Sequence, residues 1–284
     1  WTSGNKSRID CMMNECFTIG KNVKSYHIAG IIIENSTTQI SGAAINFLAP
    51  EKIGSGDVTI LIEHCVFLNN NVHLGNGGAI LLRYQEQVTI RHSRFENCSS
   101  TYGVGGAIYA DLSLSNHVGF TVVHSTFHGN SAGANGGAIA INGGSLSAIS
   151  PINMLFSTWE SNKAGINGGG IYTGAFVNLN FINSTALRNQ ATKDGGFVYI
   201  NSPLGTISKL FLVSGTIAKG HAGRHGGAVC GILNYFTSGS SMVFQQNSAM
   251  GRGGAISLVS SMSNVGGKYI ENKVAMDHSY WFLF

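Results

Sequence analysis

Three histidines, His64, His92 and His124, each stand three residues ahead of an aromatic: Phe67, Phe95 and Phe127. Imidazoles at a repeated position can ligate a transition metal or titrate together near neutral pH. On adjacent strands they would stack about 5 Å apart and repel one another once protonated. The other reading is a neutral polar column at a bend. Phe156, Asn183 and Ser214 take the next three places, so the column is not kept up, and the neutral reading is preferred over a metal centre.

A second column, Cys65, Ser93, Ser125, Ser157 and Ser184, lies two residues before the aromatic. No histidine and carboxylate repeat beside it as an activated nucleophile requires, so it reads as inward packing. Glu96 and Glu160 share the place after the aromatic with His128 between them, either a weak acid–base dyad or a solvated turn, the latter preferred. Glu63 faces Arg91 one period on, a surface pair worth under about 1 kcal/mol. Asp111, Asp194 and Asp277 fall in loops or at Gly-Gly turns, where Asp has a conformational role. The reading is therefore no catalytic residue, no cofactor and no metal ligand.

The elements that position these residues follow from a repeat. Gly-Gly and a small or apolar pair recur at Gly77-Gly-Ala-Ile80, Gly105-Gly-Ala-Ile108, Gly136-Gly-Ala-Ile139, Gly168-Gly-Gly-Ile171, Gly195-Gly-Phe-Val198, Gly226-Gly-Ala-Val229 and Gly253-Gly-Ala-Ile256, with a degraded copy at Ser41-Gly-Ala-Ala44. Such a period marks a repeat architecture. Ahead of each stands an aromatic-x-x-Asn turn or its substitute: Phe67 with Asn70, Phe95 with Cys98, Phe127 with Asn130, Trp159 with Asn162, Ala186 with Asn189, Ile217 with Gly220, Phe244 with Asn247 and Tyr269 with Asn272.

Before each aromatic the apolar positions change parity. Val88 and Ile90 are even, whereas Ser93 and Phe95 are odd. Strand side chains alternate, so a parity change at one fixed place in every repeat requires a bend there. A coil that turns a corner once per rung meets that demand. The chain is thus predicted to be all-β, a right-handed parallel β-helix of about eight to nine rungs. Residues 1–284 would form one domain with core repeats over about 28–275. Stacked at about 4.8 Å, nine rungs make a rod roughly 40 Å long, with Phe67, Phe95, Phe127 and Trp159 inside and Asn70, Asn130, Asn162, Asn189 and Asn247 in a turn ladder. Gly-Gly serves a turn that needs positive φ or close approach.

Composition agrees: charged residues are 11% of the 284, with 39 Gly and 3 Pro, and no segment carries apolar residues at helical spacing. The net charge of +4 is scattered, which argues against nucleic acid, and no apolar run is long enough for a transmembrane helix. Five cysteines without a Cys-x-x-Cys pair argue against zinc. Cys65 and Cys98 are expected as thiols, and Cys11 with Cys16 as the one local disulfide. N-glycosylation sequons begin at Asn5, Asn35, Asn97 and Asn183. The chain begins at Trp1 and stops at Tyr280-Trp-Phe-Leu-Phe284, so a fragment of a longer protein is expected, with end-to-end contact to other copies or flanking domains.

Gly-Gly-Ala-Ile and Phe-x-x-Asn in one repeat resemble the passenger repeats of the polymorphic outer membrane proteins, a bacterial autotransporter family, from roughly Ile32 to Asn272. Cys98 and Gly220 depart from the Asn position. The resemblance implies a surface-exposed β-helix used in adhesion or coating. The expected function is a non-enzymatic extracellular or cell-surface module, a stalk, coat or filament segment, with cell-surface glycans or proteins as partners. The alternative is a carbohydrate-active enzyme or glycan-binding module. Polysaccharide lyases and hydrolases on this fold group carboxylates on one face, and here they are dispersed.

Overall fold

A computed structural model describes residues 6–20, 25–40, 42–49, 58–84, 87–113, 119–144, 149–203 and 205–275. Among these there is no helix, every strand pairing is parallel, and nine two-residue strands stack in one sheet, one per turn of a β-solenoid. The rung around Phe95 serves as the pattern. A leading strand Gln87–Arg91 bends at His92 into the aromatic strand Arg94–Glu96, then turns at Asn97 into Ser99–Ser100. A last corner at Gly105 opens the Gly strand Ile108–Asp111.

Three left-handed residues make these corners: His92 at φ 49°, Asn97 at 52° and Gly105 at 68°. One such residue between extended segments rotates the chain so that the next side chains change face, which is the parity switch seen in the sequence. Register then repeats. Val88 lies between Ile60 and Phe120, Phe95 between Phe67 and Phe127, and Ile108 between Ile80 and Ile139. In each Gly-Gly pair the first glycine supplies the positive φ and the second supplies room. A Cβ on Gly106 would strike the carbonyl oxygens of Gly137 and Ser131.

The interior is one continuous apolar cluster. Phe67 stacks on Phe95 at 4.7 Å between ring centroids, Phe95 on Phe127 at 4.8 Å and Phe127 on Trp159 at 5.7 Å. Each buried ring contributes roughly 1.5–3 kcal/mol. Where the next rung has Ala186 in this stack, Phe197 enters from the Gly strand and packs 5.8 Å from Trp159 and 5.4 Å from Phe181. Gly170 below leaves space for it, since a Cβ there would meet the Phe197 ring. Three departures from the repeat, Ala186, Phe197 and Gly170, are thus one exchange of volume.

Two expectations need correction. The degraded Gly-Gly copy is Gly42-Ala-Ala-Ile45, one residue later than Ser41-Gly-Ala-Ala44, because Ile45 pairs with Ile80 and the large apolar side chain fixes the register. The solenoid also begins before residue 28. Ser7–Asp10 pairs with Ile31–Glu34 and Phe17–Ile19 with Ile45–Phe47. That rung shortens its turn with left-handed Met12 and Met13 and the Cys11–Cys16 disulfide, so it carries no motif to read. Asn5, Asp277 and Tyr280 to Phe284 lie outside the described residues.

Candidate functional site

The three corners carry the polar side chains, and each has its own ladder. At the first, His64, His92 and His124 are all left-handed, with rings stacked at 5.0 and 5.1 Å and within 5° of parallel. Phe156 continues the stack, 5.0 Å from His124. Imidazole lone pairs lie in the ring plane, so parallel rings a rung apart do not converge on one ion. Among the described residues no three His, Cys, Asp or Glu are grouped to hold a metal. Burial lowers the His92 pKa below the usual histidine value, and the neighbouring His64 and His124 lower it further.

Beside this stack Glu63 accepts from Arg91 Nε at 2.5 Å and contacts His27 Nε2 at 2.7 Å. The hydrogen bond from Arg91, then that from His27, holds its carboxyl below the usual range. Glu96 pairs with Arg94 at 2.5 Å, and Glu160 with Arg188 and, at 3.7 Å, His128. Register places His128 between Glu96 and Glu160, yet each carboxylate is taken up by its own arginine.

The serines behind the first corner form a hydrogen-bonded ladder. Ser93 Oγ accepts the Cys65 N–H at 3.2 Å and donates to the Arg91 carbonyl at 2.9 Å; Ser125, Ser157 and Ser184 repeat this. All are buried, with their protons committed, and they close the left-handed turn. At the second corner, Asn162 Oδ1 accepts from the N–H and Nδ2 of Asn130, while its own Nδ2 donates to the Phe127 carbonyl and to Asn189 Oδ1. Asn70, Asn130, Asn189 and Asn247 each donate in the same way to the carbonyl of the rung below. Cys98 and Gly220 interrupt the chain of side chains; their N–H groups still donate, to Asn130 and Asn247.

No protein-family model, curated protein or solved structure matches the chain. What the arrangement can do must come from its own geometry.

A third ladder stands before Gly-Gly and was missed. Asn76, Asn135, Asn167, Asp194 and His225 each accept the backbone N–H of the next rung. The signal was present, as Asn or Asp immediately before Gly-Gly. At its far end Asp194, His225, Arg252, Tyr199, Cys230 and Ile232 help line a cleft of about 210 Å³. Arg224 grips the buried Asp194 carboxylate through Nε, at 2.9 Å, and Nη2. His225 accepts at Nδ1 from the Arg252 N–H, 3.1 Å, and burial lowers its pKa. Burial pushes the Cys230 thiol up to about 12 and raises the Tyr199 phenol. The cleft thus brings together the Arg252 side chain, the Asp194 carboxylate held by Arg224 and a protonated thiol.

The remaining cysteines are placed plainly. Cys65 and Cys98 are buried free thiols, Cys98 pushed up to about 12 by burial. Of the sequon asparagines, Asn35, Asn97 and Asn183 occupy left-handed corners, a conformation Asn tolerates; Asn97 and Asn183 are exposed and Asn35 half-buried.

Proposed function

We propose that the chain is a non-enzymatic extracellular or cell-surface structural and adhesive β-helix module, a stalk, coat or filament segment akin to polymorphic outer membrane protein repeats. The observation that carries this reading is the rung-to-rung bonding of the ladders. Stacked rings, serines and asparagines join neighbouring rungs over most of the solenoid, so that stability is built up by contacts between adjacent repeats. The Cys11–Cys16 disulfide suits an oxidising compartment, and corner-placed sequons suit a secreted chain. End-to-end contact with further rungs fits the open strand edges of any solenoid.

The purified chain on a panel of neutral and acidic polysaccharides should release no cleaved product, and protease added to intact cells of its source should remove it from their surface. Polysaccharide cleavage, or protection inside the cytosol, would defeat the proposal. The second reading, a glycan-binding or carbohydrate-active module, is favoured by the Asp194, Tyr199 and Arg252 cleft, and Arg252→Ala would then weaken retention on whichever glycan binds.

A further inference from the structure

We propose that the corner ridge of His64, His92, His124 and Phe156 is a binding site for a linear polyanionic polysaccharide, engaged when the imidazoles are protonated. The four rings form a straight line one ring wide along the solenoid axis, at 5.0, 5.1 and 5.0 Å steps. His64 and His124 are exposed and His92 half-buried, so the line of rings is open to solvent. A polymer bearing carboxylates or sulfates on every sugar residue can set at least one charge against each rung of such a line. A flat membrane would meet a convex corner at few points.

Phe156 is 49% exposed although His124 covers one of its faces. On the next rung Asn183 Oδ1 accepts from Ser214 Oγ at 2.6 Å. The exposed part of Phe156 offers an aromatic surface at the end of the ridge for the apolar C–H groups of a sugar ring.

The charged groups beside the ridge are nearly balanced without the imidazoles. Glu63 is neutralised by Arg91 on the leading-strand side, where His27 also contacts it, and Glu96 by Arg94 on the other. The ridge's net sign is therefore set by His64, His92 and His124. Burial, and then repulsion from His64 and His124, lowers the His92 pKa below that of a lone histidine. A row of bound anions reverses that repulsion, so ligand and protons are taken up together.

The inference deepens the adhesive reading by naming a ligand class. Because the assay uses purified chain, its failure would leave the structural module standing, whereas polysaccharide cleavage would sink that module alone. Retention on immobilised dextran sulfate, with unsubstituted dextran as control, is compared at about pH 5 and about pH 7.5, the window in which imidazoles titrate. Retention on dextran sulfate is expected at the lower pH, and raised salt should abolish it. The triple variant His64→Gln, His92→Gln, His124→Gln, shown folded by circular dichroism, should bind about tenfold more weakly or worse. Phe156→Ser should weaken binding at the lower pH while leaving its pH dependence in place. Parent binding equally at both pH values, no binding at the lower one, an unaffected triple variant, or capture by anionic lipid vesicles in place of dextran sulfate would each overturn the proposal.

Discussion

Asn at the second corner is chosen by valence. Its side chain needs an acceptor for the N–H of the rung below and two donors, one for a carbonyl and one for the next Asn, and only a primary amide of this length supplies all three. Cys98 supplies weaker bonds: its thiol reaches the Phe67 and Glu96 carbonyls at 3.6 and 3.5 Å, and Asn70 Nδ2 meets its sulfur at 3.9 Å where the other rungs offer an amide oxygen. Cys98→Asn should therefore join Asn70 to Asn130 and stabilise the chain by about 1–2 kcal/mol. The urea midpoint would rise with an unchanged slope; a lower midpoint would mean that the pocket cannot take the larger side chain.

Histidine at the first and third corners gives stability a pH dependence of known sign. Burial depresses the pKa of both His92 and His225 in the folded state. As pH falls through about 6.5 the unfolded chain takes up these protons before the folded one does, so stability present above that value is lost below it. Protonation of His225 at Nδ1 also removes the acceptor for Arg252 N–H. Urea midpoints measured at about pH 7.5 and about pH 5.5 should fall with acid. His225→Asn, which keeps an acceptor as Asn167 does, should reduce the fall, and an unaltered pH slope in that variant would count against this account.

At the scale of the element, periodic features were legible and exchanges between elements were not. The corner at the histidines was visible because one left-handed residue inverts the parity of everything after it, and the aromatic and Asn turns repeat at a fixed offset. The Asx ladder before Gly-Gly was equally periodic but passed as turn composition, since Asp194 and His225 do not look like Asn. Ala186, Phe197 and Gly170 carry no sign of their relation in the sequence, because it crosses from the aromatic strand of one rung to the Gly-Gly segments of two. If they are one volume exchange, Gly170→Ala alone should cost about 1–3 kcal/mol by pressing on the Phe197 ring. Ala186→Phe alone should cost as much by overfilling the same space. The triple variant Gly170→Ala, Ala186→Phe, Phe197→Ala restores the usual pattern and should lie within about 1.5 kcal/mol of the parent. Additive losses in thermal or urea unfolding would show that the three positions are independent.

For the whole molecule, a solenoid couples each rung only to its two neighbours, so a defect's reach depends on where it falls. Asn162 lies mid-rod, and Asn272 belongs to the last described rung. Replacing Asn162 by Leu removes bonds in both directions: those accepted from the N–H and Nδ2 of Asn130, and those given to Phe127 and Asn189. The Asn130 N–H is then left buried without a partner, at about 1–3 kcal/mol, and the Phe127 carbonyl loses its side-chain donor. The Asn272 side chain accepts from Asn247 and donates to Phe244, both on one side. Amide hydrogen exchange in Asn162→Leu should accelerate in the rungs of Phe127, Trp159 and Ala186 alike, whereas Asn272→Leu should affect the rungs of Phe244 and Tyr269 alone. Equal, molecule-wide acceleration in both variants would show that the rod opens as a single unit, and nearest-neighbour coupling would have to be abandoned for this chain.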